Sequence, residues 1–258
     1  MTRMDESQTD RRDMKLMAKL SLPEETEPPW SLLSAGLTVF AMFICLTVIG
    51  PALVAIITRG DVNLPSEFTL SWAIGMALTV VFALVSRRSS IESWRALRLA
   101  RGELPLPLAL LVGIAFGLAV DLTVSLSSGA FWPVPQIWYF QARGVQGLLQ
   151  ALLLVVVLQP LAEALVFQAV LLPRMRWSFG PWRGVVATAA AYTVLYGLVF
   201  IPPYSFYNVF WHGIIFPVSI GLFFSMLRIY TGSTSAVIIA RMGAGLIFLL
   251  TALALVGT

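Results

Sequence analysis

Seven apolar segments, each about as long as a membrane-spanning helix, constrain the fold of this chain more than any other feature. A helix crosses the hydrocarbon core of a bilayer with roughly 20 residues, and charged residues, proline or glycine bound each segment. The segments are 31–57, 68–85, 106–126, 145–172, 184–200, 209–229 and 234–256. Inside lipid a helix satisfies its own backbone hydrogen bonds, and no segment alternates like a barrel strand. The sequence therefore predicts an all-α, polytopic integral membrane bundle of about seven transmembrane helices.

The composition agrees with this fold class, because 58% of the residues are hydrophobic, 12% are charged and the mean hydropathy is +0.85. A net charge of +4 could suggest a nucleic-acid partner, but the basic residues are concentrated in alternate loops. Five Lys or Arg precede the first segment and five lie between the second and third, whereas the opposite loops contain only Arg59 and Arg143. This asymmetry predicts a cytoplasmic N-terminus and no nucleic-acid partner.

Two charged stretches lie outside the apolar segments. Residues 1–29 carry both signs of charge and no sustained apolar face, so we predict a flexible cytoplasmic tail with at most a short helix near residues 14–22. Residues 30–258 then form the transmembrane domain. Residues 89–103 place Ile91 and Trp94 among arginines, which predicts a short amphipathic helix on the membrane surface.

Apart from Arg228 at the end of the sixth segment, the Asp, Glu, His and Arg side chains inside the apolar segments are Asp121, Glu163, His212 and Arg241. A charge at the bilayer centre costs about 3 kcal/mol or more, so each needs a partner, water or the interface. Glu163 lies about nine residues, and Arg241 about seven, from the cytoplasmic ends of their segments, or roughly 13 and 10 Å. These similar depths predict a buried ion pair. Asp121 and His212 lie nearer the outer face, where we expect them to meet water.

The residues from Pro160 to 245 carry a recognisable pattern. Pro160, Glu163 and Phe167 match, without gaps, the motif P-x-x-E-E-x-x-F-R-G, and the T-G-S triplet recurs at residues 231–233. This stretch resembles the core of the CPBP family of intramembrane proteases, which includes CAAX prenyl proteases and bacteriocin-processing proteins and is also called Abi. The family-like core is expected to span residues 145–256.

Several positions depart from the pattern of that family. Ala164 replaces the second Glu, Gln168 replaces Arg and Ala169 replaces Gly in the first motif. In the second motif, Tyr192 falls at the Phe position and Tyr196 at the His position. In the third motif, Arg241 takes the His position and Gly245 the Asn position. Of the catalytic set that the resemblance implies, Glu163 alone is retained.

The resemblance implies that Glu163 polarises a water, and that zinc ligands or oxyanion donors stand at the positions of Tyr196 and Arg241. A catalytic zinc usually has three protein ligands, and a guanidinium offers no lone pair and repels a cation. We therefore expect no cofactor, since the zinc ligands are missing. Glu163, Tyr196 and Arg241 are the candidate catalytic residues, as former active-site positions. Tyr192 and Tyr196 are otherwise interpreted as packing aromatics with satisfied hydroxyls.

These observations favour a multi-pass inner-membrane protein of the CPBP type that has lost proteolytic activity and acts as a membrane-embedded binding or regulatory module. Membrane lipid, and another membrane protein or a peptide, are its expected partners. Two alternatives remain open. One is an active intramembrane endopeptidase, of the CAAX or leader-peptide type, with a divergent site based on Glu163. The other is a small-molecule carrier that binds an anion at Arg241.

Overall fold

The computed structural model of the chain describes residues 16–24, 26–59, 65–88, 90–100, 102, 104–128, 145–200 and 209–256. In these residues the regular structure is helical. The helices are α1 (Leu16–Ser21), α2 (Leu32–Thr58), α3 (Pro65–Val85), α4 (Ile91–Ala96), α5 (Leu106–Ser128), α6 (Val145–Phe179), α7 (Pro181–Phe200), α8 (Trp211–Thr231) and α9 (Thr234–Val256). The predicted all-α membrane bundle is therefore confirmed.

Six of these helices are long and apolar enough to cross a membrane: α2, α3, α5, α6, α8 and α9. The predicted span 184–200 corresponds to α7, which has 20 residues but is not among the six. The described chain thus has six spans by length and hydropathy and a seventh helix of comparable length.

Four wide π-helical turns interrupt the long helices, and a proline follows each of them. The π segments are Cys45–Ile49 in α2, Leu153–Leu158 and Ala164–Leu171 in α6, and Trp211–Ile215 in α8. Pro51, Pro160, Pro173 and Pro217 stand two residues after these segments. A proline in a helix lacks an N–H donor and its ring collides with the carbonyl of the preceding turn. Widening that turn relieves the collision, so the prolines account for the π segments.

Helix α6 lies in the centre of the bundle and contributes most of the core near the candidate site. Its segment Ala164–Leu171 is buried at all eight positions. On one side it contacts α9, where Gly245 brings the two backbones together: a Cβ atom at Gly245 would lie 2.4 Å from the Val155 carbonyl oxygen. Close backbone approach through small residues is the usual way in which membrane helices associate.

Helices α5 and α9 form the most extensive helix pair and also pack through small residues. A Cβ atom at Gly113 would lie 1.7 Å from the carbonyl oxygen of Ala240, and one at Gly117 would lie 3.3 Å from the Cα of Ala244. The spacing of the two glycines places them on one face of α5. This packing fixes the height of α9, and therefore of Arg241, against the rest of the bundle.

At the predicted cytoplasmic end, the segment between α8 and α9 docks on the segment after α4. Gly232 ends α8 in the left-handed region at φ 66°, which favours glycine. The Ser233 hydroxyl accepts a hydrogen bond from the backbone N–H of Ala236 at 3.4 Å and so caps the start of α9. The Thr234 hydroxyl donates to the Leu97 carbonyl at 2.6 Å. The predicted surface helix is present as α4, with Ile91 and Trp94 exposed.

The chain before α2 also contacts this end of the bundle. The Trp30 indole N–H donates to the Val170 carbonyl at 3.0 Å, and the Arg87 guanidinium lies 4.7 Å from the centre of the Trp30 ring. Burial lowers the pKa of Arg87 from its ordinary value, and Ser34 and Thr38 accept its N–H groups. The flexibility predicted for residues 1–29 stays a prediction, and residues 1–15 lie outside the described residues.

Two expectations about polar residues nearer the outer face are wrong. Asp121 and His212 are buried, with exposed fractions of 7% and 4%. Asp121 accepts a hydrogen bond from the Thr251 hydroxyl of α9 at 2.6 Å. Residues 129–144 and 201–208, which include Pro133, Pro135, Pro202 and Pro203, lie outside the described residues.

Candidate functional site

Glu163 lies deep inside the bundle, in a short α-helical stretch of α6 between two π segments. That stretch is Gln159–Glu163, and the side chain of Glu163 is only 3% exposed. A carboxylate removed from water in this way must accept hydrogen bonds or pair with a cation. The structure supplies both.

Each carboxylate oxygen of Glu163 has two donors. The Gln159 amide donates to Oε1 at 2.8 Å, and the Tyr196 hydroxyl donates to the same oxygen. The Tyr192 hydroxyl donates to Oε2 at 2.7 Å, and Nη1 of Arg241 donates to it and forms the ion pair. The predicted contact between Glu163 and Arg241 is therefore confirmed. The carboxylate joins three helices, α6, α7 and α9.

Arg241 is held between this carboxylate and two aromatic rings. Its guanidinium carbon lies 4.3 Å from the ring centre of Phe224 and 5.3 Å from that of Tyr192. A cation above an aromatic face is attracted by the ring quadrupole, and more so away from water. The Nε and Nη2 atoms have no acceptor among the described residues. Arg241 is thus fixed in place, with the N–H groups of two of its nitrogens, Nε and Nη2, directed elsewhere than at Glu163.

The two tyrosines stand one helical turn apart on α7 and share one face. Their rings stack with centres 4.4 Å apart and an interplanar angle of 18°, and the Phe167 ring meets Tyr192 edge-on at 4.8 Å. Packing therefore orients both hydroxyls toward the carboxylate. The interpretation of these residues as aromatics with satisfied hydroxyls agrees with this arrangement, and Glu163 is the acceptor in both cases.

The side chains around Glu163 do not fit a zinc ion. The donors that contact the carboxylate are an amide, two phenols and a guanidinium, and none is a typical zinc ligand. In the described part of the chain, no group of three or more His, Cys, Asp or Glu side chains could hold a metal. A guanidinium in contact with the carboxylate would also repel the cation. We therefore derive no chemical step through a metal.

The close approach of α6 and α9 at Gly245 leaves no room for the Asn side chain that the family motif has at this position. An Asn side chain there would begin with a Cβ atom 2.4 Å from the Val155 carbonyl oxygen, closer than real Cβ contacts come. The backbones of α6 and α9 would have to separate to admit it. At this level the two helices are closed on each other.

The structure thus brings together all three predicted site residues, Glu163, Tyr196 and Arg241. It adds Gln159 and Tyr192 as direct partners of the carboxylate and Phe224 as a partner of the cation. The spacing of four residues between Gln159 and Glu163 was a usable sequence signal, whereas nothing in the sequence singles out Phe224. Asp121 bonds Thr251 instead, and the ring nitrogens of His212 have no hydrogen-bond partner among the described residues. The catalytic role of the three residues stays a prediction.

A comparison with known protein families agrees with the family resemblance that the sequence motifs indicate. Residues 145–247 match the model of the family described as type II CAAX prenyl endopeptidase Rce1-like. This match, over the segment that contains the whole Glu163 cluster, confirms the resemblance to the CPBP intramembrane proteases. Neither the curated proteins nor the solved structures contain a match to the chain.

Proposed function

We propose that this CPBP-type membrane protein has no peptidase activity and acts as a membrane-embedded binding or regulatory protein of the inner membrane. One observation carries the proposal: both oxygens of the Glu163 carboxylate are engaged by two donors each, one of them the Arg241 cation. A general base needs a lone pair directed at the water that it activates. In this protein, hydrogen-bond donors of its own side chains occupy the lone pairs of both Glu163 oxygens.

The charge of Arg241 acts in the same direction as the geometry. A guanidinium stays protonated and stabilises the ionised form of a neighbouring carboxylate, and here Arg241 also occupies Oε2 of Glu163, so that this oxygen is turned away from any water. The interaction that allows Glu163 to be buried is therefore the one that opposes catalysis. The site stabilises the contacts among α6, α7 and α9, and a peptide or another membrane protein is the proposed partner of the bundle.

A cleavage assay with a metal control tests this proposal. Purified protein, in lipid nanodiscs, is incubated with prenylated CAAX-type and leader-type peptides, and its rate is compared with that of Glu163→Gln. We expect both proteins to give the same background rate. We also expect purification without chelator to yield far less than one zinc per chain, and chelation to leave the unfolding temperature unchanged. Turnover that Glu163→Gln abolishes would establish an active enzyme.

An active endopeptidase is the second candidate, and the orientation of Arg241 favours it. Its Nε and Nη2 groups are buried donors without an acceptor in the described chain, and Gln159 Oε1 is a buried acceptor in the same condition. Donors of this kind could stabilise the oxyanion of a peptide bond under attack. If the protein is an active endopeptidase, we expect Arg241→Lys to lower kcat with little change in KM. If it has no peptidase activity, neither the parent nor this variant cleaves the peptide.

A further inference from the structure

The chain before α2 lies across the end of the bundle that is predicted to face the cytoplasm, and we call residues 16–24 and 26–30 the strap. Its helix α1 packs against α7 and α8. An apolar side chain anchors the strap near each of its ends: Leu20 is fully buried, and Trp30 is 4% exposed and donates to the Val170 carbonyl. The strap is therefore docked on the bundle, although it precedes the first membrane-spanning helix.

Glu24 makes the central charged contacts of the strap. Its carboxylate lies 3.0 Å from Arg176, near the end of α6, and 3.4 Å from Arg98, after α4. The side chains of Glu24 and Arg176 are only 9% and 6% exposed. Arg176 also donates to the backbone carbonyl of Leu22 at 2.5 Å. This one carboxylate therefore ties the strap to two separate parts of the bundle.

Two further contacts hold the strap on either side of Glu24. Lys19 Nζ donates to the carbonyl of Tyr230, at the end of α8, at 3.3 Å and lies 5.1 Å from the centre of the Tyr230 ring. Glu27 lies 2.9 Å from Arg174 of α6, and the Glu27 side chain is 58% exposed. The strap thus bridges the ends of α6 and α8.

The strap forms one wall of a cavity of about 90 Å³ at this end of the bundle. Lys19, Leu22 and Glu24 line it from the strap, and Leu172 of α6 and Tyr230 of α8 line it from the bundle. Leu172 lies nine residues after Glu163 on α6, so the cavity stands on the cytoplasmic side of the Glu163 cluster. While the strap is in place, no polypeptide can enter between the ends of α6 and α8.

The strap is held less firmly than the helices beneath it. From Leu16 to Glu27, Leu20 is the one buried apolar side chain among the described residues. Exposed ion pairs add little stability and are weakened by salt. A segment with few buried apolar contacts opens locally without unfolding of the whole protein.

We propose that the strap is an autoinhibitory latch that closes the cytoplasmic end of the bundle and opens by detaching as far as Trp30. Trp30 stays with the bundle, because it is bonded to Val170 and adjoins the Ser31 cap of α2. Opening exposes the cavity and the ends of α6 and α8 to a polypeptide from the cytoplasm. The inference concerns access to the bundle and not the chemistry inside it, so it does not rest on the proposed function.

The charge of Glu24 is the part of the latch that a substitution can remove. Glu24→Gln keeps the size of the side chain but leaves the buried Arg176 cation against a neutral amide. Loss of one partner of a buried ion pair is costly, because the other charge stays out of water. Detachment of the strap relieves this cost by exposing Arg176 to water. The variant should therefore favour the detached strap and leave the bundle folded.

Limited trypsin digestion of the full chain in detergent micelles measures detachment. Lys19 is 8% exposed, so cleavage after it requires the strap to leave, and its rate follows the detached fraction when closing is fast. Mass spectrometry of the N-terminal fragments identifies this cleavage. We expect Glu24→Gln to raise its rate by about tenfold or more, and Glu27→Gln to raise it less, since the Glu27 pair is exposed. Glu92→Gln, at an exposed carboxylate of α4, is the control and should stay within about twofold.

A thiol on the cavity wall tests whether the strap closes this end. In a Cys45→Ala background, Leu172→Cys places the thiol at a position that is 2% exposed and lines the cavity. Adding Glu24→Gln should raise the rate of its labelling by a small methanethiosulfonate by the same factor as the cleavage after Lys19. Unchanged cleavage in Glu24→Gln, or faster cleavage without faster labelling, would overturn the proposal. A large fall in the unfolding temperature with cleavage throughout the chain would also overturn it, because the strap would then be part of the core.

Discussion

At the scale of single residues, the burial of Glu163 depends on donors that come from three different helices. Two are the hydroxyls of Tyr192 and Tyr196, whose rings stack on each other and place both oxygens beside the carboxylate. A hydrogen bond to an ionised group contributes about 1.5–3 kcal/mol, more than one between neutral groups. The tyrosines are therefore part of what keeps the carboxylate in the bundle.

This argument gives a prediction for the Tyr192 hydroxyl. Tyr192→Phe keeps the ring stack and the edge contact with Phe167 but removes one donor to Glu163, so we expect a loss of about 1.5–3 kcal/mol of unfolding free energy. Unfolding in mixed SDS micelles measures it. Tyr230→Phe, at an exposed position, is the control and should stay within about 0.5 kcal/mol. Equal stabilities for the two variants would show that the hydroxyl of Tyr192 does not support the carboxylate.

The sequence predicted part of this cluster because depth can be counted along a helix. Counting residues placed Glu163 and Arg241 at similar heights, and motif spacing added Tyr196. Neither method specifies which faces of two helices meet. The ring of Phe224 under Arg241 and the donor role of Tyr192 depend on the rotation of α8 and α7, which packing sets. The water exposure expected for Asp121 failed for the same reason, because α9 covers it.

At the scale of helices, the α5–α9 pair depends on positions where even one methyl group does not fit. At Gly113 a Cβ atom would lie 1.7 Å from the Ala240 carbonyl oxygen. The neighbouring atoms are backbone, so the helices themselves would have to move apart. The GxxxG spacing of Gly113 and Gly117 is visible in the sequence, but its partner helix is not.

Gly113→Ala is therefore expected to destabilise the protein by about 1–3 kcal/mol or more, as overpacking does. The control is Gly36→Ala in α2, where an added Cβ atom would meet nothing within 4 Å. Since Ala is a better helix former than Gly, this control should be neutral or slightly stabilising. Unfolding free energies of the two variants provide the comparison, and a neutral Gly113→Ala would refute the close packing of α5 and α9.

The π segments show what the sequence indicates about helix geometry. Each of the four is followed by a proline two residues later, so the positions of Pro51, Pro160, Pro173 and Pro217 were a usable signal for widened turns. The apolar pattern alone predicts the length of a helix but not the positions of its widened turns. A π turn rotates the residues on one side of it about the helix axis relative to those on the other side. Regular 3.6-residue spacing therefore does not predict which residues share a face across the π segments of α6.

At the scale of the whole molecule, the arrangement in the membrane follows from the distribution of positive charge. The basic residues before α2, between α3 and α5, and around the junction of α6 and α7 (Arg174, Arg176 and Arg183) predict that these regions face the cytoplasm.

Cysteine labelling tests this topology, because Cys45 is buried and can be replaced by Ala to give a background without thiols. In intact cells a membrane-impermeant maleimide should label Thr58→Cys, at the exposed outer end of α2, and should leave Glu92→Cys, on the exposed surface of α4, unlabelled. Disruption of the membrane should expose Glu92→Cys to the reagent. The reverse pattern in intact cells would invert the predicted orientation.

The buried ion pair is the central claim, and a double-mutant cycle of unfolding free energies tests it most directly. Arg241→Met leaves Glu163 buried without its cation, so we predict a loss of about 3–5 kcal/mol. Adding Glu163→Gln to that variant removes the unpaired charge and should recover most of the loss, since the pair then consists of two neutral side chains. If Arg241→Met is as stable as the parent, or if the double variant is the less stable of the two, Glu163 and Arg241 do not form the proposed pair.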